Sequence, residues 1–194
     1  MGRDKASLPF GDETLLARTM RLIAEIVPRD QMVLVAAAKQ ELPALPWAAT
    51  VVRDRAADQG PLPAIIEGLA ALPANVSAAF VSACDAPLLK SAFVEELFAA
   101  LELGAHAVVP GDGERLHPLT AVYRPSCVAA LRATLDEGGA SLQRALRSSG
   151  FRLKELPAEQ LRCVDPELRS LLNCNTPEEY QAALALLLND DRSV

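Results

Sequence analysis

The sequence predicts an α/β domain with a parallel or mostly parallel sheet and helices on both faces. Three observations predict it. Short apolar runs alternate with stretches of helical periodicity along the chain. One of those runs, residues 32–38, is continuously apolar, as strands covered on both faces are, and residues 78–83 read as another buried strand. The length of 194 residues, with 51% hydrophobic and 23% charged, suits one globular domain that buries a core without disulfides or a structural metal.

The elements follow in order. Asp12 is placed to cap a helix with Leu15, Thr19, Leu22, Ile23 and Ile26 on one face. Residues 32–38 are the first strand seen and 50–52 a second. Pro61 suits the first turn of a helix that turns Ile65, Ile66, Leu69 and Leu72 inward. Residues 78–83 form the next strand, ended by Cys84, Asp85, Ala86 and Pro87. Ser91 is placed to cap a helix burying Val94, Leu97, Phe98 and Leu101. Strands are expected at 107–109 and 119–123. A helix marked by Val128, Leu131 and Leu135 stops at Gly138 and Gly139. Thr176, Pro177 and Glu179 spell a capping box for the last helix, whose inward stripe is Tyr180, Ala183, Leu184, Leu187 and Leu188. We expect a single domain over residues 1–188 and a frayed tail over 189–194.

Composition excludes several function classes. A net charge of −6 argues against a broad basic surface for nucleic acid. A small anion remains compatible, since local amides and one or two cations can hold phosphate. The four cysteines contain no C-x-x-C pair, unlike a disulfide scaffold, and the two histidines leave no ordinary zinc set. No apolar run approaches the ~20 residues of a membrane span, and the first ten residues lack a signal-peptide core. These features lead us to expect a cytoplasmic protein.

Ligands in open α/β sheets bind beyond the carboxyl ends of strands. Asp85, after a buried run and before a proline, is placed either to hold Mg²⁺ or to cap a turn. Lys5, beside Gly2, is either a phosphate grip or a solvated charge. Gly60 opens a helix whose amides can face an anion, or simply makes the turn. His117, after the polar turn 111–115, is either a substrate contact or structural. Asn173 and Asn175 can cap turns or present amides to a polar heterocycle. Asp54 follows a short strand as a site or loop residue.

The order of these pieces is more specific than any one of them. M-G-R-D-K, Q-G-P-L, C-D-A-P, G-E-R-L-H-P and N-C-N-T-P-E-E-Y, running from Met1 to about Tyr180, resemble the MobA family of molybdenum cofactor guanylyltransferases. The resemblance implies a Rossmann-like nucleotidyltransferase fold of the nucleotide-diphospho-sugar transferase type. It implies transfer of GMP from GTP to the phosphate of molybdopterin with Mg²⁺, releasing pyrophosphate. By resemblance, Asp85 is the metal aspartate, and Lys5 and Gly2 belong to the phosphate-binding signature loop. Asp54 and Gly60 contact the nucleotide, and His117, Asn173 and Asn175 meet the pterin. Asp85 and Lys5 carry the catalytic burden. The resemblance also implies transient contact with other cofactor-biosynthesis proteins or acceptor molybdoenzymes, and neither nucleic acid nor membrane as partner. Alternative readings are a transferase using CTP or a sugar phosphate, or a truncated protein that binds nucleotide or pterin without turnover.

The sequence departs from the family pattern in four places. Family members open with a buried strand and a loop of the form L-A-G-G-x-S-x-R-M-G-x-D-K, whereas this chain starts at the methionine inside it. We therefore expect the first central strand of the sheet to be missing, and in-frame codons for G-G-x-S-x-R to lie upstream of Met1. Gly60-Pro61-Leu62-Pro63-Ala64 lacks a second glycine. Ala36 stands where an asparagine can touch the base. The stretch 139–142 lacks an expected arginine.

Overall fold

The computed structural model describes residues 4–54, 60–138 and 141–191. The α/β expectation holds, with seven helices and eight strands among the described residues. A small antiparallel hairpin, β1 (Pro9–Phe10) and β2 (Glu13–Thr14), turns at Gly11, whose φ of 64° suits glycine. It leads into α1 (Leu15–Ile23). The cap is Thr14, not Asp12: its hydroxyl accepts the Ala17 N–H at 3.2 Å. Pairing of Glu13 and Thr14 in β2 carries the chain past Asp12 before the helix begins.

β3 (Val33–Ala37) and β4 (Thr50–Asp54) pair in parallel, Ala37 facing Asp54. α2 (Pro61–Ala70) follows, then β5 (Ala79–Ser82) and α3 (Ser91–Ala99). Lys90, not Ser91, occupies the cap of α3. The Ser91 hydroxyl instead donates to Glu25, and the Lys90 N–H donates to the Ser170 hydroxyl at 3.0 Å. β6 (Ala107–Gly111), β7 (Thr120–Tyr123), α4 (Val128–Asp136), α5 (Leu142–Leu146), β8 (Leu153–Pro157), α6 (Ala158–Leu161) and α7 (Pro177–Asp191) complete the chain.

The sheet is mixed rather than mostly parallel. Its four-stranded part runs β5-β7-β6-β8, with β7 antiparallel to both neighbours and β6 parallel to β8. The short connection from β6 to β7 reverses the chain, which a parallel crossover of a dozen or more residues would not permit. Side chains then alternate between two cores. Ala107, Val109, Ala121 and Tyr123 face α2, α4 and α5, while Val108, Val122 and Leu156 face α3 and α6. Helices therefore do cover both faces.

The capping box of α7 is formed as its spacing predicts: Thr176 Oγ1 accepts the Glu179 N–H at 3.1 Å, and Glu179 Oε2 accepts the Thr176 N–H at 2.9 Å. Tyr180, Ala183, Leu184, Leu186 and Leu187 pack on Phe10 and Leu15, whereas Leu188 is 50% exposed. The helix continues to Asp191, past the expected boundary at 188, and residues 192–194 lie outside the described residues. Gly138, at φ 78°, follows α4; Gly139 lies outside the described residues.

β3 and β4 form a sheet of their own, and among the described residues no backbone hydrogen bond joins β3 to β5. Between them lies an apolar cavity of about 440 Å³, walled also by α1 and α2. Most of β3 and all of β5 are accordingly only half-buried, despite their largely apolar sequence. Ala36 lies within β3, buried, not beyond its end.

His106 gives the fold an acid-sensitive joint. Its Nδ1 accepts the Arg152 N–H at 3.2 Å, and its ring meets Phe151 edge-on at 5.2 Å. Burial, and then the Arg152 guanidinium, hold His106 below its ordinary value of 6.5. The unfolded chain therefore takes up this proton first. The contribution is complete above about pH 6.5 and is lost as the pH falls toward the folded value. The melting temperature is expected to drop between pH 7.5 and 5.5, and His106→Asn to flatten that part of the profile.

Candidate active site

The site begins in the turn after β5. Thr19 on α1 donates to the Cys84 carbonyl at 3.3 Å, and Arg18 Nε donates to the Pro87 carbonyl at 2.6 Å. This clamp fixes the segment that carries Asp85. From the other side, the Cys174 N–H donates to the Asp85 carbonyl at 3.0 Å. That second segment is itself anchored. Fully buried Asp165 accepts the Ser170 N–H at 2.8 Å and makes an ion-pair contact with Lys90 at 2.9 Å. Asn173, Cys174 and Asn175 are thus presented by one braced loop.

Lys5 lies in a 3₁₀ turn, Lys5–Ser7, capped by Asp4. Its ammonium donates to Asp85 Oδ2 at 2.8 Å and to Asn175 Oδ1 at 2.6 Å. Residues 80 and 170 positions apart in sequence therefore converge on one amine. Lys5 remains one-third exposed, so the pair contributes at most about 1 kcal/mol to stability. Asp85 is only 6% exposed, and its Oδ1 is buried with no partner among the described residues. A buried carboxylate oxygen without a donor needs a ligand to repay its desolvation.

That orphan oxygen is the observation against which a metal is tested. No group of three or more metal-ligating side chains is found among the described residues. Mg²⁺ does not require one, since it keeps several waters and binds through one or two carboxylates plus phosphates. Asp85 fits it as a single protein ligand. The flanking thiols do not compete as reactive groups. Burial first, and Asp85 second, push both Cys84 and Cys174 up to about 11.

Beside this cluster opens a cleft of about 500 Å³. Gly60, Arg115, His117, Ser141, Gln143 and Asn173 line it. Gly60 caps α2 at φ 78°. Pro61 and Pro63 remove two of the first-turn amides, so this helix start offers an anion fewer donors than usual. His117 Nε2 lies 2.7 Å from Asp112 Oδ2, and Asp112 Oδ1 accepts the N–H groups of Glu114 and Arg115. The Arg115 N–H above all, then His117 and the Glu114 N–H, holds the Asp112 carboxyl well below the usual carboxylate range. With Asp112 ionised, the proton of a neutral His117 sits on Nε2.

The structure thus joins Lys5, Asp85 and Asn175 in one cluster and Gly60, His117 and Asn173 in the adjoining cleft. Asp54 ends β4, buried, and is not among the residues lining the cleft. Gly2 lies outside the described residues. Arg115, Ser141 and Gln143 were not singled out from sequence. Their signal was weak: a polar turn between strands and a serine that caps the short α5.

An α/β sheet that gathers a lysine, a buried carboxylate and an asparagine at a strand's carboxyl end, beside a polar cleft, is of the class of open α/β folds that bind ligands beyond their strand ends. Comparison with known proteins sharpens that class. Residues 1–154 match the MobA-like NTP transferase domain. The molybdenum cofactor guanylyltransferase of Desulfosudis oleivorans is 32% identical, over 96% of this chain and 88% of its own length. The probable molybdenum cofactor guanylyltransferase of Mycobacterium avium is 38% identical, over 94% and 87%. Among solved structures, the molybdopterin-guanine dinucleotide biosynthesis protein A of Archaeoglobus fulgidus superposes with a TM-score of 0.74 at 22% identity, covering 97% of this chain and 92% of that one. The 2-C-methyl-D-erythritol 4-phosphate cytidylyltransferase of Thermus thermophilus gives 0.69 at 17%, covering 95% and 94%. These two structures establish the fold. The chain belongs to the MobA-like NTP transferase family and is a nucleotidyltransferase of the molybdenum cofactor guanylyltransferase group.

Proposed function

We propose that the protein transfers GMP from GTP to the terminal phosphate of molybdopterin, giving the guanine dinucleotide cofactor. The observation that carries this reading is the junction of the Lys5–Asp85–Asn175 cluster with the His117–Asn173 cleft, where two substrates can meet. A pterin phosphate oxygen forms the new bond to the α-phosphorus of GTP. The bond from that phosphorus to the bridging oxygen breaks, and pyrophosphate leaves. The nucleophile is already ionised at neutral pH, so the work is alignment and charge neutralisation. Lys5 exchanges Asp85 and Asn175 for the nucleotide phosphates. Asp85 Oδ1 would hold Mg²⁺, which supplies neutralisation of phosphate charge when bound. Asn173, Gln143 and His117 offer polar contacts to the pterin. The four unpaired cysteines support a reducing, cytoplasmic setting, and acceptor molybdoenzymes are transient partners under this reading.

The test is incubation of the purified protein with molybdopterin, Mg²⁺ and labelled GTP or CTP. GMP transfer is the expected result. CMP transfer selects the CTP reading, and nucleotide binding without turnover selects the non-catalytic one. Asp112→Ala is expected to weaken molybdopterin binding by about 3- to 10-fold, the worth of one hydrogen bond that orients His117, while GTP affinity holds. Calorimetric titration of each substrate checks it.

A further inference from the structure

Buried Asp165 closes a ring of contacts just outside the site. Its carbonyl accepts the Leu168 N–H at 2.9 Å, and its carboxylate accepts the Ser170 N–H at 2.8 Å. Those two bonds bend the chain round Leu168, the one residue other than glycine with a positive φ, 53°, among the described residues. The Ser170 hydroxyl then accepts the Lys90 N–H at 3.0 Å, and the Lys90 ammonium returns to Asp165 Oδ1 at 2.9 Å. Asp165 and Ser170 are both 0% exposed. Asp165 Oδ1 has no hydrogen bond of its own among the described residues, so the ammonium is what offsets its desolvation. Lys90 lies five positions after Asp85, and Ser170 five before Asn175. The ring is therefore a second rung between two segments that the Cys174 N–H already joins to the Asp85 carbonyl at 3.0 Å.

We propose that Asp165, acting through Lys90 and Ser170, is a positioning residue that sets the separation of the Asp85 segment from the Asn173–Asn175 segment. Stability alone does not account for it. A buried ion pair contributes little beyond what well-packed apolar residues of similar volume would, and a left-handed leucine is itself unfavourable. What the ring supplies is register. Lys5 contacts Asp85 and Asn175 at once, and slack between their segments takes one of them out of its reach. In a reaction that depends on alignment, a displacement of about 1 Å costs up to about 10² in rate. The consequence for catalysis rests on the reaction proposed above, whereas the rung itself does not.

Hydrogen exchange at the Cys174 amide, melting temperature and steady-state GMP transfer test it in four proteins: the unaltered chain, Lys90→Met, Lys90→Arg, and Asp165→Asn combined with Lys90→Met. Lys90→Met is expected to speed Cys174 exchange by at least about tenfold. It should lower kcat by about 10- to 100-fold while KM for GTP changes by less than about threefold. It should also melt lower, because a buried carboxylate loses its partner. Lys90→Arg is expected to recover most of the exchange protection and the rate. The double variant removes the charge together with its partner and keeps an acceptor for the Ser170 N–H. It should therefore melt near the unaltered chain yet retain fast exchange and low kcat, and it keeps the test decisive should Lys90→Met fail to fold. A merely structural pair predicts otherwise: kcat returning to normal along with the melting temperature overturns the proposal, as does unchanged exchange at Cys174 in Lys90→Met. No transfer by the unaltered chain refutes the reaction alone; faster exchange then upholds the rung, and unchanged exchange overturns it.

Discussion

Asp85→Ala is expected to reduce nucleotidyl transfer by about 10²- to 10³-fold or more while leaving the fold intact. The orphan Oδ1 is lost, and with it the hold on Mg²⁺ that the proposed function gives this side chain. The structural cost is small. Lys5 keeps Asn175, the segment keeps its clamp from Thr19 and Arg18, and the ion pair removed is partly solvated. Turnover at millimolar Mg²⁺, measured beside a thermal melt, separates the two effects. Activity surviving at ordinary Mg²⁺ would refute the metal assignment.

Lys5→Ala should act mainly on binding. One charge-assisted hydrogen bond to phosphate is worth about 1.5–3 kcal/mol, so GTP affinity should fall by about 10- to 100-fold. Lys5→Arg should recover part of the loss, because charge returns while the compact point contact does not. An unchanged GTP affinity would return Lys5 to a solvated surface charge. Lys5 and Asp85 touch, so their double variant should not show the sum of the single effects.

Much of this was legible from residues alone because the signals were local. The α7 capping box, Gly60 and Pro61 at the start of α2, and Gly138 after α4 are each decided within a few positions. The continuous apolar run at 32–38 and the largely apolar run at 78–83 located β3 and β5. Other elements were not legible, for the same reason of range. β8 reads Leu153-Lys154-Glu155-Leu156, residues of high helix propensity, and becomes a strand through its pairing with β6. Thr14 displaces Asp12 as cap because a two-residue hairpin intervenes, and Lys90 displaces Ser91 because Ser170 reaches back to it.

The sequence by itself determined the α/β class and the family, since short-range pattern and motif order carry those. Tertiary structure decided the rest. It reversed β7, brought Lys5 and Asn175 together on Asp85, and left β3 and β5 on opposite sides of an apolar cavity. Each depends on groups distant in the chain or on backbone edges, and a strand's edge partners are set by chain topology rather than by its own residues.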